Sequence, residues 1–217
     1  MLSRLQHDLI QIYDLPAGEA ISHYLIDQTM LGRWVEHPSK IDEQMIIRSD
    51  SSEYLDVGLY VREEILRKLP QDDTTHVTHE TFSDFCVAVE GVSHFVLLHF
   101  KASHAVPVTA LELELQAEID KFIAAMLYAD PNQHPKDWLA DIHHRLFDGF
   151  QWRSDLSSDE RERYALASRL ASRFCRLLAR RLEEAAKTDW VDFFQFLRRF
   201  YRQSWEQKFA TVGAAGY

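Results

Sequence analysis

The chain has 217 residues, of which 46% are hydrophobic and 27% are charged, and its formal net charge is −10. This composition excludes a mainly disordered chain, because the apolar content is sufficient for a hydrophobic core. The sequence has only 7 glycines, and they are not arranged as a phosphate-binding loop. It also has no G-x-S-x-G or H-E-x-x-H motif, so the common nucleotide-binding proteins and hydrolases are disfavoured.

The location that the sequence predicts is the cytoplasm. The charge-free stretches Gly91–Phe100 and Ala102–Leu111 are too short to cross a bilayer. Residues Met1–Ile12 lack the unbroken apolar region of a secretory signal. Cys86 and Cys175 lie far apart in apolar segments, which is typical of reduced core thiols.

The first third of the chain predicts helices around one β-hairpin. Apolar residues recur at helical spacing over Leu2–Ile12, and Ala20–Trp34 is compatible with a second helix. Two β-prone runs, separated by the polar turn Ser49–Glu53, predict an antiparallel hairpin near residues 43–61. A short helix is expected over Arg62–Leu69, where Pro70 ends it.

The middle of the chain predicts two long helices. Residues 82–100 allow either a hairpin that turns at Glu90 and Gly91 or a buried helix, and the apolar spacing favours the helix. Thr109 and Glu112 form a capping-box pattern that opens a second helix over 109–128.

The last third predicts three further helices. They are expected over Lys136–Phe150, from Ser158 or Asp159 to about Ala186, and from Thr188 or Asp189 to about Phe209. We therefore expect a predominantly helical α+β fold of six or seven helices with one small hairpin. Residues 1–210 form a single domain in this prediction, and residues 211–217 form a frayed tail.

Acidic residues and a histidine are predicted to meet on the two central helices. If these helices are antiparallel, Glu90 lies level with Glu118, and His94 lies level with Glu114. Carboxylates and an imidazole in a helical core can bind a metal or act as a catalytic acid and base, so these four residues are the catalytic and metal candidates. The alternatives are a buried hydrogen-bond network or solvated glutamates. The paired E-x-x-H motifs of di-metal bundles are missing.

Charge is divided unevenly along the chain. Residues 1–152 have 11 basic and 25 acidic side chains, a net charge of −14, whereas residues 153–217 have 13 and 9, a net charge of +4. Four arginines form one stripe on the long helix: Arg169, Arg173, Arg176 and Arg180. The stripe can pair within the chain, bind an acidic partner, or bind nucleic acid, which the acidic total disfavours.

The last predicted helix has aromatic residues around much of its circumference. Four of them can share one side, namely Trp190, Phe194, Tyr201 and Trp205, whereas others face elsewhere. A surface helix normally buries one side only. This helix is therefore either enclosed by its own domain or in contact with a partner, because aromatic residues and arginines are enriched at interfaces.

The function predicted from these patterns is that of a non-enzymatic interaction or regulatory protein without a cofactor. The aromatic and arginine-bearing C-terminal helices would contact a second copy of the chain, most simply as a homodimer, or an acidic protein. No membrane or nucleic acid is expected as a partner. The alternative is a helical metal-binding protein or enzyme that uses Glu90, His94, Glu114 and Glu118.

Overall fold

The computed structural model describes residues 1–49, 55–69, 76–129, 135–149, 156–185 and 190–214. Within these ranges the chain forms nine α-helices and one two-stranded antiparallel sheet, which confirms the predominantly helical α+β class. The count exceeds the six or seven expected helices because two helices are very short and the last predicted helix is divided into two.

The helices and strands follow one another in this order: α1 Leu2–Tyr13, α2 Gln28–Leu31, β1 Glu43–Ser49, β2 Leu55–Val61, α3 Glu63–Lys68, α4 Phe82–Ser103, α5 Ala110–Leu127, α6 Pro135–His143, α7 Ser158–Ala185, α8 Trp190–Arg202 and α9 Trp205–Ala214. Short 3-10 turns lie at Ile21–His23 and Pro38–Lys40, and a π-helical turn, His144–Asp148, continues α6. The ambiguous segment 20–34 thus holds one 3-10 turn and the four-residue α2.

Helices α4 and α5 form an antiparallel pair at the centre of the fold, so the helical alternative for residues 82–100 is confirmed. Thr109 caps α5, because its hydroxyl accepts a hydrogen bond of 3.1 Å from the backbone N–H of Glu112. A capping box also requires the Glu112 carboxylate to accept a hydrogen bond from the backbone N–H of Thr109. That part of the prediction is wrong, since the carboxylate contacts the ammonium groups of Lys101 and Lys208 instead.

Among the described helices, only α4 is long and apolar enough, by length and composition, to cross a membrane. Glu90 and Lys101 divide it into the shorter charge-free stretches seen in the sequence. Of its most apolar window, 61% is buried inside the fold. Helix α4 therefore has the environment of a core helix in a folded domain.

The other helices surround this central pair. Helix α1 packs on α4 and α8, while α5 also contacts α6 and α7, and α9 rests on α7. The main hydrophobic core takes residues from Leu2 to Val212. Burial of these apolar faces is the main stabilising contribution to such a fold.

The β-hairpin occurs where the sequence predicts it. Glu43 pairs with Val61 and Ile46 pairs with Gly58 in an antiparallel register, whereas the predicted turn residues 50–53 lie outside the described ranges. Strand β1 contacts α4, which places the start of the hairpin against the central helices.

The single helix predicted from about 189 to 209 is wrong, because α8 ends at Arg202 and α9 begins at Trp205. A capping box causes the break. The backbone N–H of Gln207 donates to the Ser204 hydroxyl at 3.4 Å, and the backbone N–H of Ser204 donates to the Gln207 side chain at 3.0 Å.

The predicted frayed tail is wrong for Thr211–Ala214, which belongs to α9 and includes the fully buried Val212. Residues 215–217 lie outside the described ranges, as do the two residues predicted to cap the last helix, Thr188 and Asp189.

Candidate functional site

Four side chains from three elements converge between the hairpin and the central helices. They are Glu43 on β1, Glu90 and His94 on α4, and Glu114 on α5, and we call them the carboxylate–histidine cluster. The Nε2 atom of His94 lies 3.7 Å from Oε2 of Glu114, so the predicted proximity of these two residues is confirmed. One donor atom each from Glu90, His94 and Glu114 lies within 4.8 Å of the others.

Glu43 belongs to this cluster, although the sequence analysis missed it. Its Oε1 atom lies 3.6 Å from Nδ1 of His94. Gly91 on α4 makes this approach possible, because a Cβ atom there would lie 3.0 Å from Cγ of Glu43 and 3.1 Å from Cδ1 of Leu59. A glycine inside a buried helix is the sequence signal that indicates such a close neighbour.

The cluster is enclosed, and its hydrogen bonding is incomplete. The side chains of Glu43, His94 and Glu114 are only 10%, 9% and 10% exposed. Oε1 of Glu43 and Nε2 of His94 are buried and have no hydrogen-bond partner among the described residues. Separations of 3.6 and 3.7 Å are too long for hydrogen bonds. Buried polar atoms without partners are destabilising, so such atoms require an explanation.

Burial also shifts the ionisation of the cluster. Loss of solvent raises the pKa of Glu114 to about 7, against the opposing charge of His94, and it raises the pKa of Glu43 as well. Burial opposes the charge of His94, but the nearby carboxylates of Glu43, Glu114 and Glu90 outweigh it and raise the pKa of His94 to about 9. The histidine is therefore the proton carrier of the cluster near neutral pH.

Lys121 separates Glu118 from the other predicted site residues. Its Nζ atom lies 2.7 Å from Oε2 of Glu90 and 2.8 Å from Oε1 of Glu118. The two glutamates are thus on the same side of the central pair, as predicted, but an ammonium group bridges them. Glu118 is a partner of Lys121 and not a neighbour of His94.

The cluster and its surroundings carry excess negative charge among the described residues. Two cations, Lys121 and Arg163, lie beside the carboxylates, and Nε of Arg163 is 3.7 Å from Oε1 of Glu114. Near neutral pH His94 is protonated, so four carboxylates and three cations give a formal net charge of −1, the carboxylates being Glu43, Glu90, Glu114 and Glu118. A divalent cation that displaces the proton of His94 would meet a net charge of −2 and would balance it.

A second polar group lies on another side of α5, and the sequence analysis missed it. We call it the α5 polar network, and its members are Tyr13, Ser93, Lys101, Glu112, Gln116, Asp120 and Lys208. Glu112, Gln116 and Asp120 are four residues apart, so they share one face of the helix. That spacing was readable in the sequence, but the partners on α1, α4 and α9 were not.

Close contacts hold the α5 polar network together. The Asp120 carboxylate accepts hydrogen bonds from the Tyr13 hydroxyl at 2.5 Å, from the Ser93 hydroxyl at 2.6 Å and from the Gln116 amide at 2.9 Å. Burial raises the pKa of Asp120 to about 6 in spite of these bonds.

The charged end of the network is an ion-pair triad. Oε1 of Glu112 lies 2.8 Å from Nζ of Lys101 and 3.0 Å from Nζ of Lys208, and all three side chains are almost fully buried. Burial lowers the pKa of Lys208, against the opposing charge of Glu112. Such a triad joins α4, α5 and α9 and has the character of a structural tie.

The aromatic part of the predicted interface lies mostly in the core. Tyr201 is fully buried and stacked on Tyr13 at 4.1 Å, so it is not available to a partner, and Phe194 and Trp205 pack partly buried against the main core. Trp190 remains 47% exposed. The aromatic side chains could be covered because α8 and α9 are separate helices with different neighbours, α8 packing on α1 and α7 and α9 on α7.

The arginine part of the predicted interface lies on the surface. All four residues of the stripe are exposed, namely Arg169, Arg173, Arg176 and Arg180. Two of the arginines on α8 have a different role, because Arg198 and Arg202 donate to backbone carbonyls at the C-terminal end of α1, at 3.1 Å from Ile12 and 2.6 Å from Asp14.

Comparisons of the chain with protein families, with curated proteins and with solved structures gave no match.

Proposed function

We propose that the protein binds one divalent transition-metal ion through Glu90, His94 and Glu114. The observation that carries the proposal is the convergence of three donor atoms, one from each residue, within 4.8 Å. Nε2 of His94, which faces Glu114, is buried and has no hydrogen-bond partner among the described residues. Two donors bonded to one ion at about 2.1 Å are at most about 4.2 Å apart, so a pair at the 4.8 Å limit must move closer by at least about 0.6 Å.

The donor set indicates the class of metal. One imidazole nitrogen and two carboxylate oxygens form a mixed set that suits a first-row ion such as Zn²⁺ or Mn²⁺. Calcium and magnesium prefer oxygen ligands alone.

Glu43 has the position of a partner for the ligating histidine. Its carboxylate faces Nδ1 of His94, on the opposite edge of the ring from Nε2 and Glu114. A carboxylate at this place fixes the orientation of a metal-bound imidazole, holds its remaining proton on Nδ1 and raises the basicity of Nε2. The metal would displace the proton that Nε2 carries near neutral pH. The hairpin would then be coupled to the central helices through Glu43 and His94.

Metal titration of the full chain, after treatment with a chelator, tests the proposal. We expect calorimetry to give one bound Zn²⁺ or Mn²⁺ per chain and a higher melting temperature, with about 2.7 kcal/mol of added stability at one hundred times Kd. His94→Gln should abolish this binding, and Glu43→Gln should weaken it by about 10- to 100-fold.

The matched control is His99→Gln, because His99 lies on the same helix and lines a different surface pocket, with Gly18 and Phe95. This variant should bind the metal as the unaltered chain does. If His94→Gln fails to fold by circular dichroism, Glu90→Gln takes its place. Equal binding by the His94 and His99 variants, or no binding by the unaltered chain, contradicts the proposal.

We also propose a reducing, cytoplasmic location. Cys86 and Cys175 are free thiols, and burial raises the pKa of Cys86 to about 12, so this thiol is protonated and unreactive. Fractionation of cells that contain the full chain should recover it in the cytoplasmic fraction. Recovery with membranes would contradict this location.

A further inference from the structure

One face of α7 carries four exposed arginines. These residues, which we call the α7 arginine row, are Arg169, Arg173, Arg176 and Arg180. All four are exposed, and none forms a hydrogen bond or ion pair with the described part of the chain. Several other basic side chains in the described part of the chain are paired, for example Arg62 with Asp42 at 3.0 Å and Arg67 with Glu63 at 2.6 Å. Pairing within the chain, one of the alternatives left open by the sequence, therefore does not account for the row.

The row is short and has defined ends. Its members are spaced by four, three and four residues, so the guanidinium groups extend over about 16 Å, or three turns, of one helix face. Exposed acidic residues lie at both ends of α7, Asp159 and Glu162 before the row and Glu183 and Glu184 after it. The ends of α7 carry both signs of charge, since Arg161 and Arg181 also lie there, whereas the exposed face between Glu162 and Glu183 that holds the row is basic.

We propose that the α7 arginine row docks a short acidic segment of a protein, about three helical turns in length. A guanidinium group binds a carboxylate through two parallel hydrogen bonds, and glutamates at helical spacing would match the spacing of the row. The acidic residues at both ends of α7 would repel a longer polyanion. The net charge of −10 disfavours nucleic acid for the same reason.

A peptide titration with the full chain tests this docking surface. The probe is a fluorescein-labelled 15-residue helical peptide with glutamates at positions 1, 5, 8 and 12, followed by fluorescence anisotropy at low salt. We expect saturable binding that the double variant Arg173→Gln/Arg176→Gln weakens by about tenfold or more. The same peptide with glutamines in place of glutamates should not bind.

The matched control removes the same charge elsewhere. Arg33 and Arg199 are exposed and lie outside the row, so Arg33→Gln/Arg199→Gln should leave the peptide affinity unchanged. Circular dichroism verifies that both double variants fold.

Four outcomes would overturn the proposal. The first is absence of peptide binding. The second is a loss of peptide affinity in the control variant equal to that in the row variant, which would indicate nonspecific charge attraction. The third is tighter binding of a 15-base-pair DNA duplex than of the peptide. The fourth is self-association of the chain alone in sedimentation that the row variant abolishes, which makes a second copy the partner.

Discussion

Helix α5 separates two buried polar groups that differ in how completely their atoms are paired. In the α5 polar network, Asp120 accepts three hydrogen bonds and Glu112 contacts two ammonium groups at 2.8 and 3.0 Å. In the carboxylate–histidine cluster, His94 stays 3.6 to 3.7 Å from its two carboxylate neighbours. Two buried atoms on the well-paired side also have no hydrogen-bond partner among the described residues, namely the Tyr201 hydroxyl beside the network and Oε1 of Glu112. Oε1 of Glu112 differs from the atoms of the cluster, because two ammonium groups lie within 3.0 Å of it.

This difference indicates different roles for two groups of similar composition. A buried network whose members are paired rigidifies the fold, because breaking it exposes charges to a medium that cannot solvate them. A buried group with unpaired atoms and excess charge is stabilised by an additional ligand. We therefore propose a structural role for the network and metal binding for the cluster.

The largest expected effect comes from one substitution made on each side of α5. Glu112→Gln removes the carboxylate that two buried lysines share, so the free energy of unfolding should fall by about 3–5 kcal/mol. Glu114→Gln, two residues away, removes a desolvated charge whose pKa is raised to about 7, so at pH 8 the metal-free variant should be more stable than the unaltered chain by about 2–3 kcal/mol. Urea denaturation measures both. Equal losses would remove the distinction between the two groups.

A smaller effect is expected from pH. The pKa of Glu114 is about 7 in the folded chain and near 4.5 in the unfolded chain, so the folded state binds more protons between these values. The metal-free protein should therefore lose stability, relative to Glu114→Gln, as the pH rises from 4.5 to 7, by about 2–3 kcal/mol. Denaturant midpoints at several pH values test this. A difference that stays constant over this range would show that Glu114 is solvated.

The smallest expected effect concerns the contact between the hairpin and α4. Gly91→Ala gains up to about 1 kcal/mol of helix propensity but places a methyl group 3.0 Å from Cγ of Glu43. Overpacking of this kind costs about 1–3 kcal/mol, so we expect a net loss of about 1–2 kcal/mol. Metal affinity should also fall, because Glu43 is displaced from His94. Gly213→Ala, which has nothing within 4 Å, is the control. Unchanged metal affinity in Gly91→Ala would show that the position of Glu43 on the hairpin does not affect metal binding.

Two features were encoded locally and could have been recognised in the sequence. The Ser204–Gln207 capping box ends the aromatic helix early, and its S-x-x-Q pattern is visible without a structure. Glu112, Gln116 and Asp120 lie four residues apart, which places them on one helix face. They were overlooked because polar residues on a helix are usually assigned to a solvated face.

The sequence alone favoured helices over 82–100 and 109–128, and for an antiparallel pair it placed His94 level with Glu114. Helical periodicity sets the direction of each side chain within one element, and a short connection limits how two adjacent helices can align. Only the tertiary structure decided that Glu43 joins His94, that Lys208 reaches Glu112, and that the aromatic residues of α8 are mostly buried. These contacts join segments that are distant in the chain, and their partners depend on the packing of the whole core and not on any local pattern.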